Sequence, residues 1–155
     1  LIMKTIRFGT FETNSSSTHS ITMCMKDDYK KFKNGEMYLY DEKLITPQEK
    51  DLIIRKEIFE SQIEIDWNNE TITFEGNTIK YEGYDDRKRK IEDLCTQERL
   101  NSITKEEVNN FDGTEINIYS YEQYEDDEYL ETFKDEYTTP NGDVIVAFGK
   151  YGNDY

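Results

Sequence analysis

Apolar and polar positions alternate in short runs along this chain, and the period changes often enough to outline its elements. Lys4-Thr5-Ile6-Arg7-Phe8 alternates as a half-buried strand does, and Gly9 then permits a bend or bulge. Ile21-Thr22-Met23-Cys24-Met25 predicts a second strand, so the polar run between the two reads as the connection of an antiparallel pair. Asp27 to Lys33 predicts a short helix that stops at Asn34-Gly35, and Glu36-Met37-Tyr38-Leu39-Tyr40 a strand.

Thr46-Pro47-Gln48-Glu49 is a helix-start signature, with Thr46 as cap, Pro47 at the first helical position and Glu49 closing a capping box. Leu52, Ile53, Lys56 and Phe59 follow near helical spacing, with Ile54 and Ile58 widening the face, which predicts a helix over about 47–61. Ile63–Trp67, Thr71–Phe74 and Thr78–Tyr81, joined by Asn68-Asn69 and Gly76-Asn77, predict a β-meander. A charged surface helix is expected over Asp85–Leu100. A second capping box, Thr104-Lys105-Glu106-Glu107, should open a short helix ending near Asp112-Gly113. Ile116–Tyr119 and Val144–Phe148 read as strands, with Pro140-Asn141-Gly142 a turn before the latter. The pattern predicts an α+β fold: a mostly antiparallel sheet with two or three helices in a single domain over residues 3–155. Met3 reads as the natural start, with Leu1 and Ile2 added upstream. Val144–Phe148 is expected in the same sheet as Thr5–Phe8 or Ile21–Met25.

Composition narrows the functional classes. The chain has 155 residues, 19 Lys+Arg against 34 Asp+Glu, and a net charge of −15. Binding to phosphate backbones needs Lys and Arg to displace counterions, so direct nucleic-acid binding is not expected and a basic partner is. Only 35% of residues are hydrophobic, which places the packing on 12 Tyr, 8 Phe and one Trp. No apolar run reaches the ~20 residues of a membrane span, and no signal-peptide pattern is present. Cys24 and Cys95 are too few for a disulfide framework, which points to a reducing cytoplasm and no membrane partner.

The run Glu12-Thr13-Asn14-Ser15-Ser16-Ser17-Thr18-His19-Ser20 is nine consecutive polar residues. Such residues form turns by bonding nearby backbone, so an ordinary loop is one reading. A second is a ligand site: hydroxyls and backbone N–H groups of Asn14, Ser15, Ser16, Ser17 and His19, with Asn153, cradling an anion or nucleotide. It lacks the glycines and lysine of a P-loop. A third is nucleophilic catalysis, with Ser15, Ser16 or Ser17 as hydroxyl nucleophile, His19 (the single histidine) as base and Glu12 or Asp154 as its orienting carboxylate, the set Ser16, His19 and Asp154 being the one singled out. No nucleophile-elbow spacing surrounds these serines. The enzyme reading is held behind a non-catalytic one, and no cofactor is expected.

Phe11-Glu12-Thr13-Asn14-Ser15-Ser16-Ser17-Thr18-His19-Ser20 after a strand resembles the opening of a family of small proteins from phages and mobile elements of low-GC Gram-positive bacteria. The closing Gly142-Asp143-Val144-Ile145-Val146-Ala147-Phe148-Gly149-Lys150-Tyr151-Gly152-Asn153-Asp154 is similar to the same family. The resemblance covers about twenty residues at the start and a dozen at the end. It implies a phage or prophage setting and carries over no activity. It also suggests that the first and last strands pair, which would set Gly149, Gly152, Asn153 and Asp154 beside Asn14, Ser16 and His19.

Between Glu122 and Glu136 stand eight carboxylates against Lys134 alone, with tyrosines interleaved. A solvated face is the usual fate of such a run. It also forms a surface for a basic protein, because carboxylates pair bidentately with Arg and Tyr gives rigid contact area. The residues assigned to that surface are Glu122, Tyr124, Glu125, Asp126, Asp127, Glu128, Tyr129 and Glu131. Their spacing does not match an EF-hand loop, and with one His and two distant Cys no metal site is expected. The resulting expectation is a phage-type inhibitory protein in the host cytoplasm that mimics nucleic acid and blocks a basic, nucleic-acid-binding defence protein. The specific target expected is a CRISPR effector nuclease, which would make the chain an anti-CRISPR. The alternative is the nucleotide-binding or hydroxyl-nucleophile site at the serine-rich motif.

Overall fold

The computed structural model describes residues 17–126 and 130–152, and only the backbone of Ser17, Thr18 and His19. The strand predicted over Thr5–Phe8 lies outside them. The order is β1 (Ser17–Met25), α1 (Lys26–Lys33), β2 (Tyr38–Tyr40), β3 (Lys43–Ile45), α2 (Pro47–Ser61), β4 (Glu64–Asp66), β5 (Thr71–Phe74) and β6 (Asn77–Lys80). It continues with α3 (Gly83–Leu94), α4 (Gln97–Ser102), α5 (Lys105–Asn110), a 3-10 turn (Gly113–Ile116), β7 (Ile118–Tyr119), α6 (Tyr121–Glu125), β8 (Glu131–Thr138) and β9 (Val144–Gly152). The fold is α+β and every strand pairing is antiparallel. In place of one main sheet there are three of three strands, β1-β9-β8, β3-β2-β7 and β4-β5-β6, and six α-helices among the described residues. The strands of the second and third sheets are two to four residues long and pair only among themselves. Among the described residues no helix is long and apolar enough to cross a membrane.

Contacts gather the chain into two compact units, the first formed by the residues up to Pro47 and from Gly113 onward, the second by Gln48–Asp112. In the first unit β9 is the central strand, with Cys24 opposite Val146 on one side and Glu136 opposite Val146 on the other. Ile21–Met25 and Val144–Phe148 therefore share a sheet, as their patterns predict. α1 lays Tyr29 and Phe32 on this sheet, and Tyr124 of α6 completes the cluster with Met37, Val146 and Phe148. The Phe32 and Phe148 rings stack at 5.6 Å, and Tyr124 meets Phe148 edge-on at 5.6 Å. A chain poor in aliphatic residues thus builds this core from rings, whose edge-to-face contacts add about 0.5–1.5 kcal/mol per pair beyond area burial.

The second unit buries Ile54 and Phe59 of α2 with Ile63, Ile72, Phe74 and Tyr81 around the β4–β6 meander. Here the helix over Pro47–Ser61 and the capping box of α5, Thr104 with Glu107, appear where the sequence predicts them. The helix expected over Asp85–Leu100 instead breaks at Cys95, because the Thr96 hydroxyl accepts from the Arg99 amide and caps a new helix. Arg55 ties α2 to the end of that helix: its Nε donates to Asp51 Oδ2 at 2.7 Å and its Nη1 to the carbonyls of Leu100 (3.0 Å) and Ile103. These carbonyls lie at a helix end, where intrahelical partners run out.

One position in the large sheet is sterically closed. β1 carries a bulge between Thr18 and Ser20 against β9, and Gly149 sits opposite Ile21 there. A β-carbon on Gly149 would overlap the Ser20 carbonyl and touch the Phe133 ring at 3.0 Å. Gly149→Ala is expected to lower unfolding free energy in urea by about 2–3 kcal/mol, as overpacking does. Gly142→Ala, at a turn with φ +89° and open space around it, should cost only about 1 kcal/mol.

Candidate functional site

The acidic segment does not form one continuous element. Ser120 starts α6 with a reciprocal capping box, its hydroxyl accepting from the Gln123 amide while Gln123 Oε1 accepts from the Ser120 amide at 2.9 Å. The helix lasts Tyr121–Glu125, Asp126 follows, and β8 resumes at Glu131. Asp127, Glu128 and Tyr129 lie outside the described residues. Glu122, Glu125, Asp126 and Glu131 are exposed, as a solvated carboxylate surface requires. Tyr124 is not part of that surface. It is 4% exposed and packed among Phe32, Phe148 and Tyr121, because one side of this one-turn helix must cover the aromatic core. Asp135 is also buried, since the pleat of β8 turns Phe133 and Asp135 to the same side.

The carboxylates differ in how far the protein itself neutralises them. Glu136 pairs with Lys26 at 3.0 Å and Lys134 at 3.3 Å, and these bonds hold it below the usual carboxylate range. Glu131 accepts from the Tyr151 hydroxyl at 2.5 Å, which raises Tyr151 above the ordinary phenol range. Glu125 is hydrogen-bonded to Tyr121, and this bond, followed by burial, keeps Tyr121 neutral far into the alkaline range. Glu122 and Asp126 make no ion pair or hydrogen bond through their side chains among the described residues. Two further acids of the first unit are exposed. Asp41 and Glu42 form the two-residue turn between β2 and β3, both left-handed at φ 51° and 58°, as the twist of such a hairpin demands. They line a cavity of about 270 Å³ together with Leu130, Asn117, Tyr124 and Lys150, so a cation shares their cavity. Sequence reading missed them. The signal was Asp41-Glu42 between two short apolar runs: Asp is a usual turn former, but the Glu42 that follows it stands where a glycine would mark the hairpin.

The serine-rich motif is placed only in part. Asn14, Ser15, Ser16, Asn153 and Asp154 lie outside the described residues, so the proposed Ser16, His19 and Asp154 arrangement does too. Ser17, Thr18 and His19 are strand rather than loop: Ser17 pairs with Gly152 and Thr18 with Tyr151, and His19 falls at the bulge. The first described strand therefore begins four residues earlier than the apolar alternation indicates, carried by backbone bonds to β9. Of the two thiols, Cys24 is pushed up to about 11 by burial first and by the Asp28 charge second, so it is not a nucleophile near neutrality. Among the described residues there is no group of three or more His, Cys, Asp or Glu able to hold a metal ion. Comparison with protein-family models, curated proteins and solved structures finds no match to this chain.

The Tyr124 hydroxyl is buried without a hydrogen-bond partner among the described residues. Tyr124→Phe removes a desolvated group that gains nothing, so its melting temperature should equal or exceed that of the wild type. Tyr124→Ala should cost about 3–5 kcal/mol. A Phe variant as damaged as the Ala variant would show that the hydroxyl is satisfied after all. Raised thiol and phenol ionisation also sets a pH dependence. The unfolded chain releases the Cys24 proton near pH 9 and the folded chain near 11, so stability should fall as pH rises between them. Urea unfolding at pH 8 and 10 should show the loss, and Cys24→Ala should reduce it.

Proposed function

We propose that this chain is a small acidic inhibitory protein that occupies the nucleic-acid channel of a basic host defence protein, with a CRISPR effector nuclease as the target. The observation that carries the reading is the set of unneutralised carboxylates of the first unit. Glu122 and Asp126, on and just after α6, are exposed and make no ion pair among the described residues, and Asp41 and Glu42 add two exposed carboxylates on the β2–β3 turn of the same unit. The net charge of −15 supports it from a distance by steering a basic protein toward the chain. The likeness of both ends to phage and mobile-element proteins supports the setting, a host bacterial cytoplasm.

The test is a gel shift in which a guide-loaded effector nuclease binds its target DNA with and without this protein. Wild type should reduce the bound fraction at low salt and lose that effect steeply as salt rises, since exposed charges are screened within a Debye length. Glu122→Lys with Asp126→Lys should raise the inhibitory concentration about tenfold or more, a cost of ~1.4 kcal/mol. Both positions are exposed, so thermal stability should change by no more than about 0.5 kcal/mol. Equal inhibition by wild type and the double variant, or none by either at low salt, would overturn the proposal.

A further inference from the structure

The second unit carries a surface unlike the acidic segment. Trp67 and Tyr84 are each 63% exposed, the most exposed large apolar side chains among the described residues. Between them lies the Arg87 guanidinium, 4.5 Å from the Trp67 ring centroid, 5.1 Å from Tyr84 and 5.5 Å from the buried Tyr81. Three rings desolvate this cation and hold its plane, yet it makes no hydrogen bond or ion pair among the described residues. Its neighbours on the helix behave differently. Arg89 and Lys90 both pair with Asp86, at 2.5 and 3.1 Å.

Arg87 borders a groove of about 400 Å³ whose apolar lining is Ile63, Ile65 and Ile91 and whose charged lining includes Lys88, Glu60 and Glu92. The volume is that of a ligand-binding cleft. α3 contributes Tyr84, Arg87, Lys88, Ile91 and Glu92 to it, a single helical face. None of the twelve residues of α3 is buried. Helices of this length owe their stability mainly to packing of an apolar face, so this face is incomplete as it stands.

We propose that the groove binds a segment of a protein partner in which an apolar side chain stands beside an Asp or Glu. The apolar side chain packs on the isoleucines that line the groove, and the carboxylate takes the bidentate donors of Arg87. Charge complementarity selects this occupant. The rings leave the Arg87 donors unspent and partly dehydrated, which strengthens a bidentate bond to a carboxylate. Trp, Tyr and Arg are also the residue types that dominate protein interfaces. A nucleic-acid strand would stack on Trp67, but its next phosphates would meet Glu60 and Glu92. Burial, with Glu57 and Glu92 adding like charge, already pushes Glu60 above the usual carboxylate range. The second unit as a whole has 17 acidic residues against 10 basic ones. This surface is independent of the acidic segment, and its test does not depend on that reading.

The experiment pans a random peptide library displayed on phage against the full chain. Enriched peptides are then titrated against wild type, Arg87→Gln and Ile91→Ser, with circular dichroism as the folding check. The expected result is a consensus with an acidic residue next to an apolar one, and affinity at least tenfold weaker for both variants. If Ile91→Ser fails to fold, Arg87→Gln, whose side chain lies on the surface, decides alone. No enrichment, a consensus without an acid, or binding unaffected by Arg87→Gln would overturn the proposal. Oligo(dT) binding lost in Trp67→Ala would overturn it in favour of nucleic acid. Self-association in sedimentation that Ile91→Ser abolishes would overturn it in favour of a second copy of the chain.

Discussion

Everything in the first unit depends on β9 being held between β1 and β8. Val146, Ala147 and Phe148 are the buried centre of that strand, and the aromatic cluster of α1 and α6 rests on them. The pairing joins Cys24 to Val146, distant in sequence, so a large loop-closure entropy is met before the contacts repay it. The clash that a β-carbon on Gly149 would make with the Ser20 carbonyl shows how tightly the two backbones approach. The helix that carries Glu122 and Glu125 docks on this sheet through Tyr124, which meets the Phe148 ring edge-on.

Elements with local signatures were legible in the sequence. Pro47 at a helix start, the Thr104–Glu107 capping box and the Thr71–Phe74 alternation all encode their structure within a few residues. The illegible parts are those where tertiary context decides. β8 reads as charge because Glu131, Lys134 and Glu136 occupy it, and the sheet is formed by its pairing to β9 rather than by its own pattern. The break at Thr96 was hidden in a run that otherwise continues helical spacing, and a single hydroxyl cap settled it.

The candidate surfaces show the same division. Exposure of Glu122, Glu125, Asp126 and Glu131 follows from the cost of burying isolated charge, and so can be argued from composition. The inward turn of Tyr124 cannot, because a tyrosine among acids looks like a contact residue until the face of its helix is known. The platform around Arg87 was equally invisible: Trp67, Tyr81, Tyr84 and Arg87 come from the meander, the end of β6 and α3, and only the fold brings them together. In the sequence the same arginine is one of four consecutive basic residues.

The second unit is an insertion between two segments of the first. A ribosome therefore delivers β1, α1 and the β2–β3 hairpin, then the whole of Gln48–Asp112, before any of β8 or β9. The inserted unit has all its strand partners within its own stretch and can fold as it emerges, at the ~5–20 residues per second of synthesis. The first unit is left for seconds with β1 lacking its neighbour. That exposed edge, bearing Met23 and Met25 on its outer side, is where nascent chains of this protein would meet chaperones or one another.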